Sequence, residues 1–177
     1  MSFELSHARA ALERTPSVLG ALVGDLPDAW LAARPTPEDW NAHQVVCHLL
    51  YTEEADWLVR ARLIMTAGPG EPFPPVEHGD QSHRYPGRPT RELAERFAEL
   101  RAANLVGLDA LGVGAHELDR TGLHPTLGQV TMRQLLATWV VHDHNHVRQL
   151  QEALAAHYAA EVGPWREMLG VLDRVDR

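Results

Sequence analysis

Cysteine and long apolar runs are scarce in this chain of 177 residues, and each scarcity excludes a class of protein. Cys47 is the only cysteine, so no disulfide can form within the chain. No apolar run approaches the roughly 20 residues that a membrane-spanning helix needs. The N-terminal sequence MSFELSHARA also lacks the apolar core of a signal peptide. We therefore expect a cytoplasmic protein with no membrane partner.

Basic residues are outnumbered as well. Lys and Arg number 16 against 24 Asp and Glu, which gives a formal net charge of −8 with neutral histidine. Because nucleic-acid binding needs a basic surface to neutralise phosphates, we do not expect nucleic acid as a partner. The composition, 45% hydrophobic and 23% charged, is ordinary for a globular chain. The length favours a single domain over residues 1–177.

Apolar residues recur at three- and four-residue steps over long segments, the period of an amphipathic α-helix. The four segments are residues 3–23, 41–67, 91–111 and 131–158, and a short helix is expected over 165–172. The predicted N-caps are Thr15 (where Pro16 interrupts the first segment), Asn41, Thr90 and Thr131. Residues 115–130 have no strand period and are predicted to be a loop. Because four apolar stripes must be buried together, the sequence predicts an all-α four-helix bundle with no sheet.

The connection between the second and third helices is unusually long. Residues 68–89 are rich in proline and glycine and have neither a helical nor a strand period. The second helix would be about 40 Å long at 1.5 Å per residue. A connection that spans up to about 3.3 Å per residue can return along that whole length. Helices two and three can therefore run parallel.

Two histidines stand one turn apart on the fourth helix. His142 and His146 are four residues apart, so their side chains share a face and can bind one divalent metal through neutral imidazole nitrogens. The alternative is an accidental pair, because two ligands do not make a site. His48, which faces inward from the second helix, is the best candidate for a third ligand. Three protein ligands plus water is the pattern of catalytic zinc.

Two carboxylates also fall within apolar stripes. Asp56 lies near the centre of the stripe on the second helix, and Asp143 does the same on the fourth. A buried carboxylate is costly unless it is paired or hydrogen-bonded. Both are therefore predicted to interact with the metal-ligating side chains or to belong to a polar network. The alternative is a stripe end that is locally solvated.

Three stretches of the chain resemble the DinB-like superfamily, which includes the metal-dependent thiol transferases of bacteria. They are LERTPSVLGAL at 12–22, DWNAHQVVCHLLYTEEADW at 39–57 and TMRQLLATWVVHDHNHVRQLQ at 131–151. The resemblance implies a bundle in up-down-down-up order with a long crossover between helices two and three. It also implies a divalent metal held by His48, His142 and His146. The family does not fix which metal this is: zinc and nickel are the first candidates, and other ions remain open. Many members are dimers, so a homodimer is an expectation.

The resemblance indicates an enzyme that transfers a low-molecular-weight thiol to an electrophilic substrate, because a metal stabilises the reactive thiolate. One alternative is a hydrolase that uses metal-bound water. Another is a non-enzymatic, metal-binding or stress-related dimeric bundle. An open coordination position would favour an enzyme, and a fourth protein ligand or a sealed apolar surround would favour a structural role.

Overall fold

A computed structural model describes residues 3–175 and contains seven α-helices and one β-hairpin within them. The helices are α1 (Leu5–Leu12), α2 (Thr15–Val23), α3 (Asp28–Leu31), α4 (Ala42–Ala55), α5 (Trp57–Thr66), α6 (Thr90–Ala110) and α7 (Met132–Ala156). Four arms form the bundle: α1 with α2, α4 with α5, α6, and α7. None of the helices in the described part of the chain is both long and apolar enough to cross a membrane.

Contacts between α4–α5 and α6 show that these two arms are parallel. The His43 ring lies 2.9 Å from the Thr90 hydroxyl, near the start of both helices. Further along, Arg101 bonds to Glu53. Residue numbers rise together on both arms, so the long connection returns the chain to the same end of the bundle.

The other two arms, α1 with α2 and α7, run antiparallel to α4–α5 and α6. On α7, Trp139 donates to Glu53 and His142 contacts His48, so residue numbers rise on one helix as they fall on the other. The same reversal relates the first arm to α6, because Arg101 donates to the Leu12 carbonyl while Arg9, earlier in the chain, donates to that of Leu105. The predicted up-down-down-up order is confirmed.

The helix boundaries agree with the sequence in part. Asn41 and Thr131 are N-caps, as predicted, and each accepts a hydrogen bond from the third helical amide as part of a capping box. The caps predicted at Thr15 and Thr90 are wrong, because both hydroxyls instead bond to side chains of other helices. The second helix is not continuous, since the backbone of Asp56 (φ −116°, ψ −79°) separates α4 from α5.

The segment after α7 also differs from its prediction. Instead of one short α-helix over 165–172, the chain forms two 3-10 helices, Gly163–Met168 and Gly170–Leu172. The second of them buries Leu172.

Residues 115–130 were predicted to be a loop, and the protein was predicted to have no sheet. Both predictions were wrong, because this segment contains a β-hairpin. Strands β1 (Thr121–His124) and β2 (Gly128–Thr131) pair antiparallel. Four-residue strands are too short to show a reliable alternating pattern. Glycine at position 122 allows β1 to pack closely against Phe73, because a Cβ atom there would lie 2.6 Å from the Phe73 ring. The hairpin packs against α5 and α7.

The apolar core is divided by a polar layer. One cluster contains Leu50, Phe97 and Leu150, and the other contains Trp57, Leu105 and Trp139. Three helices each place a buried charged residue between the two clusters of the core: Glu53 on α4, Arg101 on α6 and Asp143 on α7. The three histidines occur at the same level of α4 and α7. The fold therefore brings the polar residues of distant segments together at mid-bundle.

Candidate metal centre

The three predicted histidines converge on one point. His48 extends from α4, and His142 and His146 extend from successive turns of α7. One ring nitrogen from each lies within 4.8 Å of the others, and the Nε2 atoms of His48 and His142 are 3.1 Å apart. His146 is 8% exposed, and the other two are half-buried. The geometry suits a shared ion, and the ligand role itself stays a prediction.

Glutamines contact the outer nitrogens of two of these rings. The Nδ1 atom of His48 lies 2.8 Å from Oε1 of Gln81, and Nδ1 of His146 lies 2.9 Å from Oε1 of Gln149. Because an amide oxygen only accepts, each Nδ1 carries the proton in these bonds, which leaves Nε2 with its lone pair. The buried Nδ1 atom of His142 has no hydrogen-bond partner among residues 3–175.

Two indole rings flank the histidines. Trp40 stacks on His146 with 13° between the planes and 6.0 Å between the centroids. Trp57 meets His142 edge-on at 5.0 Å. These contacts restrict the rotamers of the imidazoles, so the nitrogens are held together by packing as well as by hydrogen bonds.

Burial keeps the three imidazoles neutral. Desolvation lowers the pKa of His142 to about 2 and that of His146 to about 4, and repulsion from the neighbouring histidines acts in the same direction. Burial also lowers the pKa of His48, although its hydrogen bonds with Gln81 and the Gly79 backbone oppose the effect. Neutral imidazole is the form that binds metal, so protons do not compete with a metal at pH 7.

The ligand set would consist of nitrogen alone. No other His, Cys, Asp or Glu joins the group in residues 3–175. Cys47 is buried one residue before His48, and burial raises the pKa of its thiol to about 12, so it remains protonated. Three imidazoles fit zinc, nickel or another ion that prefers nitrogen ligands, with at least one coordination position left over.

The two predicted carboxylates have partners other than the histidines. Asp143 accepts two bonds from Arg101, at 2.7 and 3.0 Å, and one from Thr15 at 2.6 Å. Asp56 forms an ion pair with Arg60 at 2.5 Å, and burial raises its pKa to about 6. Among the hydrogen bonds of residues 3–175, none joins either carboxylate to His48, His142 or His146. Both carboxylates are paired with an arginine, and their predicted role around the metal ligands stays a prediction.

Sequence reasoning missed several polar residues around the centre. Arg101 lies midway between Phe97 and Leu105 on the apolar stripe of α6, and a charge in that position is a signal that could have found it. Glu53 falls between Leu49 and Trp57 in the same way. Gln81 gave no signal, because it lies in the aperiodic connection.

Comparison with known proteins supports the fold and the family. The family model of the DinB superfamily matches residues 11–150. No curated protein sequence matches the chain. Among solved structures, the chain is similar to YfiT from Bacillus subtilis, a probable metal-dependent hydrolase with an unusual four-helix bundle topology. The two share 20% sequence identity with a TM-score of 0.69, over 92% of this chain and 91% of YfiT. The chain belongs to the DinB superfamily.

Proposed function

We propose that this protein is a divalent-metal-dependent enzyme that activates a low-molecular-weight thiol for transfer to an electrophilic substrate. His48, His142 and His146 would hold the ion, zinc or nickel. The observation that carries the proposal is the convergence of three neutral imidazoles with no fourth protein ligand in residues 3–175. A structural metal site would use all four positions of a tetrahedral ion.

Exposure of the site supports an enzyme over a structural bundle. His48 and His142 are half-buried, so the ion would be reached from one side. Trp40 and Trp57 cover the flanks of the rings. Two surface clefts of about 450 and 460 Å³ lie elsewhere, against α5 and against α3 and the start of α6. The proposed entry is the side on which His48 and His142 are partly exposed.

The chain's own residues would prepare the site before a substrate arrives. Burial holds the imidazoles neutral, so a metal would not have to compete with an imidazolium charge at pH 7. Gln149 keeps the proton of His146 on Nδ1. A bound divalent ion lowers the pKa of a coordinated thiol or water and so supplies a nucleophile at neutral pH. In the transfer, a bond forms between sulfur and the electrophilic carbon, the bond to the leaving group breaks, and the thiol proton passes to solvent.

Hydrolysis is the second candidate. It is favoured by the structural similarity to YfiT, a probable metal-dependent hydrolase, and the same three imidazoles would serve a water nucleophile. The two reactions share the metal and differ only in the small molecule that is activated.

Metal analysis of the purified protein tests the shared part of the proposal. The wild type should bind one divalent ion per chain, and His142→Ala should bind none. His144→Ala is the matched control, because His144 is exposed on the same helix and should be dispensable. Full metal occupancy in His142→Ala would show that the ligand assignment is wrong.

Activity assays then separate the two reactions. The metal-loaded wild type is incubated with electrophiles in the presence and absence of a panel of small thiols, and activated esters and amides are tested without thiol. Thiol-dependent turnover that is lost in His142→Ala and kept in His144→Ala would support transfer. Turnover that needs only water would favour hydrolysis.

A further inference from the structure

We propose that Gln81, in the connection between α5 and α6, is a positioning residue that holds His48 in the Nδ1–H tautomer. The proposal takes its functional meaning from the metal site proposed above. The tautomer itself is a property of the metal-free chain, so it can be measured on its own.

The orientation of the Gln81 amide follows from its two partners. Its Nε2 atom lies 3.1 Å from the carbonyl oxygen of Glu77, and its Oε1 atom lies 2.8 Å from Nδ1 of His48. A carbonyl oxygen can only accept a hydrogen bond, so the amide nitrogen must face Glu77. The amide oxygen must then face His48. The backbone of the connection therefore determines which way the side chain of Gln81 points.

The amide orientation in turn selects the tautomer of His48, whose ring also has a hydrogen bond with the Gly79 backbone. An amide oxygen is an acceptor, so the Nδ1 atom of a neutral His48 must carry the proton. Its Nε2 atom is then left with a lone pair, and this is the atom that faces His142 at 3.1 Å. In the opposite tautomer, the Nε2 proton would block the metal and two acceptors would face each other at Nδ1.

The connection holds Gln81 firmly enough for this role. Gln44, four residues before His48 on the same face of α4, donates to the Asp80 carboxylate at 2.6 Å. Tyr51, one turn after His48, accepts from the Glu77 amide at 3.0 Å. Hydrogen bonds on both sides of His48 thus clamp the segment to α4. Gln81 itself is fully buried, at 0% exposure, so water cannot readily take its place.

A purely structural role for Gln81 makes a different prediction. If Gln81 served only to satisfy the Glu77 carbonyl and hold the connection, loosening the segment elsewhere would have the same effect on His48. Tyr51→Phe is the matched control, because it removes another hydrogen bond between the same segment and α4 without touching the histidine.

The test is nitrogen NMR of the metal-free protein at pH 8, labelled with ¹⁵N-histidine, in which the two ring nitrogens report the tautomer directly. The signals of His48 are assigned from those lost in His48→Ala. Wild type and Tyr51→Phe should show Nδ1–H, and Gln81→Met, which is similar in size but lacks the acceptor, should shift His48 toward Nε2–H. Metal titration should show about a 10–100-fold weaker affinity for Gln81→Met, as for other residues that orient metal ligands.

Either of two results would overturn the proposal: Nε2–H at His48 in the wild type, or an unchanged tautomer in Gln81→Met. The wild-type measurement needs no variant, so a Gln81→Met protein that fails to fold still leaves the proposal open to refutation. If the tautomers behave as expected but the wild type binds no metal, the proposed function fails while the role of Gln81 toward His48 stands.

Discussion

Replacing Arg101 with methionine would leave two buried carboxylates without their cation. Arg101 is 1% exposed, and its guanidinium makes five hydrogen bonds, which matches its five N–H donors. Two bonds go to Glu53, two to Asp143 and one to the Leu12 carbonyl, at 2.7–3.0 Å. One side chain thus joins all four arms of the bundle.

The size of the stability loss follows from the hydrogen bonds that Glu53 and Asp143 keep after the substitution. Among residues 3–175, Glu53 would keep only the donors on Trp139 and Asn104, and Asp143 would keep only the Thr15 hydroxyl. Removing one partner from a buried ion pair costs about 3–5 kcal/mol, because the other charges stay buried without compensation. Methionine fills most of the vacated volume, so the cavity contribution is small. At about 2–4 °C per kcal/mol for a chain of this size, Tm should fall by roughly 6–20 °C.

Urea and thermal unfolding at pH 7 provide the assay, with Arg96→Met as the control. Arg96 lies on the same helix and pairs with Glu99, but its side chain is 54% exposed. Exposed pairs are worth about 0–1 kcal/mol, so this variant should be nearly as stable as the wild type. The difference between the two variants should shrink on acidification, because the unpaired carboxylates of Arg101→Met can then take up protons.

An Arg101→Met protein as stable as Arg96→Met at pH 7 would refute this reasoning. It would mean that water or a relaxed backbone compensates Glu53 and Asp143 without the guanidinium. A loss that did not change with pH would indicate a packing defect in place of an electrostatic one.

Further predictions concern the metal site and its titration. His146→Ala should lose metal binding while the helix stays folded, since alanine is the best helix former. Leu150→Ala, at a fully buried position, should instead lose about 2–5 kcal/mol of stability and keep its metal affinity. Metal titration and urea unfolding of both variants check this, and metal retained by His146→Ala would contradict it. In the metal-free protein the folded-state pKa values of His142 and His146, about 2 and about 4, lie below the unfolded value of about 6.5, so the unfolded chain takes up protons first. Stability should therefore be full above pH 6.5 and fall toward pH 4, with a slope approaching about 1.4 kcal/mol per pH unit for each histidine. Asp56 opposes this trend, because burial raises its pKa to about 6 in the folded state and acid therefore favours folding at that site. Urea midpoints that stay constant from pH 6.5 to 5 would show that the contributions of Asp56 and the histidines to stability cancel, or that the histidine pKa values are not lowered by folding.

The sequence alone was sufficient where the controlling interactions are local. The helical period and the N-caps at Asn41 and Thr131 depend on residues within one or two turns, so they could be predicted. The spacing of His142 and His146 places both on one face of any helix that forms there. His48 could be proposed as the third ligand because it faces inward from the second helix, and the resemblance to a family then supported that choice.

Tertiary structure decided the features whose partners are distant in sequence. The hairpin at 121–131 depends on Phe73, which packs against Gly122 from the connection. Gln81 reaches His48 only because the connection is clamped to α4, and Arg101 gathers acceptors that lie as far as 89 positions away in the chain. A hydrogen bond or ion pair between such residues leaves no periodic pattern in the sequence. Its existence depends on which surfaces the packed helices bring into contact, and only the folded chain determines that.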